Sequence, residues 1–213
     1  MLALATAPAQ AGPPELVARR APQLEMSAAW GDRKAWEAVP AARLGGVDGA
    51  TAQRADVRAR WNGNGVFFEF VCRDTAIVAP GRDDGLDHFR LGDVVEVFLA
   101  RSGAASYAEV HATPAGRKSH YFFSAYRHAG PVPAAAELLA VRAGEIRGGW
   151  RAVIFVPWAV LGAAGPVGVC DFLAGRYDYA VAGGRPVLSS FPVQTGRPDF
   201  HERGRYARLV LRP

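Results

Sequence analysis

Hydrophobic positions along this chain recur mainly with a period of two, the spacing of side chains on one face of a β-strand. The clearest runs are Asp56–Trp61, Val66–Asp74, Asp93–Ala100, Tyr107–Thr113, His120–Tyr126, Trp150–Val156 and Arg205–Leu211. Asn62-Gly63-Asn64-Gly65 separates the first two as a hairpin turn, because Gly and Asn tolerate positive φ. Thr113-Pro114-Ala115-Gly116 and Gly148-Gly149 read as turns for the same reason. Helical periodicity is scarce, and only Pro157 to Ala164 predicts a helical turn, opened by proline at its first position. Many short strands between turns predict an all-β fold: an antiparallel, jelly-roll-like β-sandwich with one short helical turn.

Composition narrows the class. Half of the 213 residues are hydrophobic and 21% are charged, which excludes a disordered, collagen-like or coiled-coil chain. No uninterrupted apolar stretch is long enough for a membrane-spanning helix. Residues 15–213 are expected to form a single sandwich domain, a length that buries a substantial core. The formal charge of +5 invites a nucleic-acid partner, but Lys occurs only at 34 and 118 and the arginines are scattered from Arg19 to Arg212. A nucleic-acid binder concentrates its charge on one face, so no such partner is expected. Residues 1–14 read as the remnant of a signal peptide or as a disordered leader. Ala9-Gln10-Ala11 has the small-x-small pattern of a cleavage site, which points to an extracellular or periplasmic location. Cys72 and Cys170 are too few for a thiolate zinc cluster and lie in apolar runs, as two buried thiols or, in an exported protein, one disulfide.

Candidate chemistry sits on two of the predicted strands. Tyr107, Glu109 and His111 alternate with Ala108, Val110 and Ala112, so an aromatic ring, a carboxylate and an imidazole share the face opposite the core. Such a trio suits a sugar, offering a flat surface for C–H groups and acceptors and donors for hydroxyls. Glu96 lies between Val95 and Val97, where a carboxylate needs either a ligand or a cation such as an Arg. Asp83, Asp84, Asp87 and Asp93 could supply oxygen to calcium but match no defined loop, so no cofactor is expected. The five histidines have no metalloprotease spacing, and neither a G-x-S-x-G elbow nor a phosphate-cradling glycine loop is present. These residues do not predict an enzyme.

Several patches in order resemble the family 9-like carbohydrate-binding modules and the related DOMON-like sandwich domains. They begin at Gly31-Asp32 with Trp36 and Ala38, Asp56–Trp61, Val66–Asp74 and Gly92–Leu99. Tyr107–His111 with Pro114 and Gly116 follows, then Gly149–Ala152, Val156-Pro157-Trp158 and Leu161-Gly162. The set closes with Asp171-Phe172, Arg176, Ser190-Phe191-Pro192 and Phe200-His201, so the resemblance spans roughly residues 27 to 211. It implies a secreted, non-catalytic sandwich that binds carbohydrate, with sugar-binding groups at Glu96, Tyr107, Glu109 and His111. It also implies Arg176 and His201 at the pocket rim, and Phe191 where relatives often carry a stacking Trp. Trp61, Trp150 and Trp158 fall at framework positions, and Trp36 is expected to pin the N-terminal segment. Two alternatives stay open: a haem-binding redox domain, for which Met26 would have to serve with a histidine as axial ligand, and a ligand-free interaction module.

Overall fold

The structure is a computed structural model and describes residues 12–213. The leader expected at residues 1–14 lies outside the described residues except for Gly12-Pro13-Pro14, which lead into the first strand. Among the described residues the strands are β1 (Glu15–Arg20), β2 (Ala42–Gly46), β3 (Ala55–Trp61), β4 (Gly65–Arg73), β5 (Val94–Arg101), β6 (Tyr107–Ala112) and β7 (Lys118–Ala125). The remainder are β8 (His128–Ala129), β9 (Ala140–Ile146), β10 (Gly149–Pro157), β11 (Val169–Asp178), β12 (Val187–Phe191) and β13 (Ala207–Arg212).

The hydrogen-bonded order β8-β7-β6-β5-β11 forms a front layer, and β3-β4-β10-β9 forms a back layer. Two strand pairs bridge them. β12 and β2 connect the C-terminal half of β11 to the start of β3, and β13 and β1 connect the other halves of the same two strands. Among the described residues only the β1 pairings, with β13 and β3, are parallel. The layers face each other across a core in which Val95, Val97, Val110 and Phe172 of the front meet Val57, Phe68, Phe70 and Ile154 of the back. The Phe68 and Phe172 rings stack across it at 5.2 Å. Trp150 and Trp158 are buried in this core, as expected of framework positions. Cys72 and Cys170 are buried free thiols, each pushed up to about 12 by burial, which keeps them protonated and inert.

Each run read as a strand from the period-two pattern is a strand within one or two residues, and Trp158–Leu161 forms the expected helical turn as a 3₁₀ helix. Two short α-helices add to it, α1 (Met26–Gly31) and α2 (Arg33–Glu37). They are too short to display a helical period, and α2 is capped by Asp32, whose side chain accepts from the Ala35 amide at 3.0 Å. Trp36 is buried and donates its indole N–H to the Ala29 carbonyl at 2.8 Å, so it does pin this segment, packing with Phe67 and Val153 over the outer face of the back layer. The Asn62–Gly65 turn forms without any residue at positive φ, contrary to the expectation. The Asn62 side chain closes it instead, accepting from the Asn64 and Gly65 amides at 2.9 and 3.1 Å, an Asx turn.

Candidate functional site

The pleat of β5 and β6 sends Val95, Val97, Ala108, Val110 and Ala112 into the core and Glu96, Phe98, Tyr107, Glu109 and His111 to the outer face of the front layer. That face is not an open surface. Phe200 and Tyr206 from the segment before β13 pack against Phe98 and Tyr107, and Phe89 from the loop before β5 lies 5.9 Å from the His111 ring. Tyr107 is 3% exposed, Glu109 6% and His111 0%.

At the centre is one imidazole nitrogen between two carboxylates. His111 Nε2 lies 2.6 Å from Glu109 Oε1 and 3.2 Å from Glu96 Oε2, and Ser119 Oγ is 3.3 Å from Nδ1. Burial opposes a charge on His111, but hydrogen bonds and attraction from Glu109 and Glu96 outweigh it and hold the imidazolium above its ordinary value. Burial likewise pushes the Glu96 carboxyl up, against the pull of His111. Of the two expectations for Glu96, a ligand or a cation such as an Arg, the protein partner present is this histidine. Among the described residues Glu96 Oε1 has no partner although it is buried. Glycine on the neighbouring strand makes its position possible: Gly175 is in register with Glu96, and a Cβ there would lie 2.4 Å from Oε1.

Above this floor are two adjoining recesses of about 230 Å³ each, sharing Phe89, Glu109, Arg127 and His201 in their walls. One is closed by Glu96, Phe98, Tyr177, Leu188 and Phe200, the other by Asp87, Tyr121 and Phe123. Tyr107 lies just beneath, its hydroxyl 2.9 Å from His201 Nδ1. Burial lowers the His201 value, so this ring is neutral and able to accept or donate according to tautomer.

The structure thus brings Glu96, Tyr107, Glu109, His111 and His201 together, and separates Arg176 and Phe191 from them. In β11 the residue next to Gly175 faces the opposite way, so Arg176 points into the sandwich, 0% exposed, with Nη2 3.0 Å from Asp74 Oδ2 and 3.2 Å from Asp178 Oδ1. Phe191 is in register with Ala174 and packs against the core. Among the described residues no tryptophan lines either recess; the aromatic walls are Phe89, Phe98, Tyr177, Tyr121, Phe123 and Phe200. Phe89, Arg127, Tyr177, Leu188 and Asp199 escaped the sequence reading because each sits on a loop or a strand without alternation.

The acidic residues weighed for calcium do not converge. Asp84 accepts from the Lys118 amide, Asp87 from the Tyr121 hydroxyl, and Asp93 from the Val78 and Tyr179 amides at 2.6 and 2.7 Å. Asp93 instead approaches Asp74 and Asp178, whose charge the Arg176 guanidinium already offsets. Met26 packs with the Trp36 cluster on the outer face of the back layer, whereas His111 and His201 lie on that of the front layer, so Met26 cannot share an axial pair with either.

Asp93 has a consequence for pH. Burial pushes its carboxyl from 3.8 up to about 7, against the two backbone N–H donors that favour the charge. Between those values the folded protein holds a proton that the unfolded chain releases, so stability falls as pH rises through the window. Thermal unfolding followed from pH 4 to 8 is expected to show a falling midpoint, with a shallower decline in Asp93→Asn. An unchanged slope in the variant would remove Asp93 as its source.

No protein-family model matches the chain and no curated protein matches it by sequence. Solved structures do share its fold. A Bacteroides uniformis protein provisionally described as carbohydrate-binding superposes with a TM-score of 0.77 at 15% identity, over 94% of this chain and 100% of that one. A family 9 carbohydrate-binding module from Caldicellulosiruptor kristjanssonii, in complex with cellotriose, gives a TM-score of 0.67 at 13% identity, covering 93% of each chain. A family 9 module from the same organism in complex with glucose gives 0.70 at 12% identity, over 93% of this chain and 95% of that one. The chain therefore has the β-sandwich fold of family 9 carbohydrate-binding modules. Among the described residues no helix is long and apolar enough to cross a membrane.

Proposed function

We propose that this protein is a non-catalytic carbohydrate-binding domain that takes a sugar ring into the recess over Glu96 and Glu109. The observation that carries this reading is Glu96, a buried carboxyl group with an unpartnered oxygen, in the lining of an aromatic-walled recess. An unsatisfied buried acceptor is costly, and a ligand hydroxyl that donates to it removes the cost. Phe89 and Tyr177 offer ring surface to the C–H face of a pyranose. The volume suits one or two sugar units rather than a long polymer segment. Glucose and cellotriose bound to modules of the same fold support the ligand class.

The reading is non-catalytic because Glu96 and Glu109 converge on the same His111 nitrogen. A glycosidase pair must instead stand apart on either side of the scissile bond. The small-residue pattern at Ala9-Gln10-Ala11 supports export to the periplasm or the exterior.

Titration calorimetry with glucose and cellotriose tests the reading. Glu96→Gln keeps the size but replaces a carboxyl oxygen with an amide donor, and on the order of a tenfold to hundredfold loss of affinity is expected. A glycan panel without any binding would sink the carbohydrate reading in favour of a ligand-free interaction module.

A further inference from the structure

The turn joining β7 to β8 carries an arginine in an unusual backbone conformation. Arg127 has φ 52, and Asp48 is the other non-glycine residue with positive φ among the described residues. Glycine or asparagine ordinarily fills such a position, because a Cβ crowds the backbone there. The strain is held by contacts that meet at the mouth of the recesses. The Arg127 amide donates to the Tyr107 hydroxyl at 3.2 Å, and Arg127 Nη2 donates to Asp199 Oδ1 at 2.8 Å. The neighbouring Tyr126 hydroxyl donates to the other oxygen of Asp199, and the guanidinium lies 5.7 Å from the centre of the Tyr126 ring. The turn is thereby tied both to the floor of the site, through Tyr107, and to the 198–201 wall, through Asp199.

Arg127 contributes nothing to the core. Its side chain is 54% exposed, and the Nη2 contact to Asp199 uses one of the five guanidinium hydrogens. It lines both recesses together with Glu109 and His201. The floor carboxyl groups, Glu96 and Glu109, offer acceptor oxygens, whereas Arg127 is a donor at the rim.

We infer that Arg127 is a specificity-determining residue of this site, held in a left-handed conformation so that its guanidinium reads acceptor oxygens on the outward edge of a ligand whose inner edge donates to Glu96 and Glu109. The ligand class is a polyhydroxylated ring with hydroxyls on both edges, bound in one orientation between them. This rests on the carbohydrate reading above and adds the residue that orients the ring. Strain at a ligand clamp is a recurrent use of such backbone conformations.

The test compares the unmodified protein with Arg127→Gly, Arg127→Lys and Glu96→Gln in calorimetric titrations of glucose, mannose and galactose, with melting temperatures in parallel. Glycine suits φ 52, so Arg127→Gly is expected to melt no lower than the unmodified protein. It is also expected to lose affinity on the order of tenfold and to level the preference among the three epimers. Arg127→Lys keeps the charge as a point donor and is expected to recover part of the affinity but not the preference. The epimer ratio is the deciding quantity, since a merely structural role for the turn would leave it unchanged. If both Arg127 variants keep the affinity and ratio of the unmodified protein while Glu96→Gln loses binding, the inference falls and the carbohydrate reading stands. If the unmodified protein binds none of the three, both fall.

Discussion

His111→Ala is expected to abolish sugar binding and to destabilise the fold by about 3–5 kcal/mol, the usual cost of stripping a buried ion pair of one partner. Here one imidazole serves two carboxylates, at 2.6 and 3.2 Å, and all three side chains are at most 8% exposed. Without it, Glu96 and Glu109 face each other in a low dielectric with nothing to share. They must then take up a proton or turn away, and either outcome removes the acceptor geometry of the recess floor. For a chain of this size the melting temperature should fall on the order of 10 °C. His111→Ala/Glu109→Gln separates the two effects: one carboxylate charge is gone, so stability should return in part while binding should not. A native melting temperature in His111→Ala would mean that the pair carries no charge. The pH dependence has a definite sign. The His111 contribution is fully present below the ordinary imidazole value of 6.5 and is lost as pH rises through the raised one.

Arg176→Met should cost a comparable amount of stability and leave ligand affinity where it was. Its guanidinium spans Asp74 and Asp178 at 3.0 and 3.2 Å and donates to the Arg73 carbonyl at 2.9 Å, with the arginine 0% exposed. Methionine fills much of the volume but leaves Asp74 and Asp178 without their cation, so a loss of about 3–5 kcal/mol is expected in chemical denaturation. Arg176 faces the core side of β11 while Gly175, in register with Glu96, faces the recess. The glucose dissociation constant of the folded variant should therefore match that of the unmodified protein. Asp74→Asn combined with Arg176→Met should recover part of the loss, as coupled partners do. A fall in affinity parallel to the fall in stability would return Arg176 to the ligand site.

These two residues mark where the sequence was legible. On β6 strict alternation with Ala108, Val110 and Ala112 separates Tyr107, Glu109 and His111 from the core, and on the apolar β5 Glu96 stands out as the lone carboxylate. On β11 both faces are covered, by the core on one side and by the packing around Phe98 and Phe200 on the other. Its sequence Val169–Asp178 therefore carries no alternation, the strand escaped notice, and the facing of Arg176 could not be read. The same holds for Phe191 on β12, whose direction depends on its register with Ala174. The tie of Arg127 to Asp199 joins positions 72 residues apart and has no local signature.

By itself, then, the sequence determined the all-β class, seven of the strands within a residue or two, and the polar face of β6, because each follows from a local period along the chain. The tertiary structure alone decided that this face is roofed rather than open. It decided that the cation between Glu96 and Glu109 is His111 and not an arginine, and that the walls of the recess come from Phe89, Arg127, Tyr177 and the 198–201 segment. Those outcomes depend on strand register and on which loop crosses which layer. Both are set by packing between residues distant in sequence, to which a period along the chain is blind.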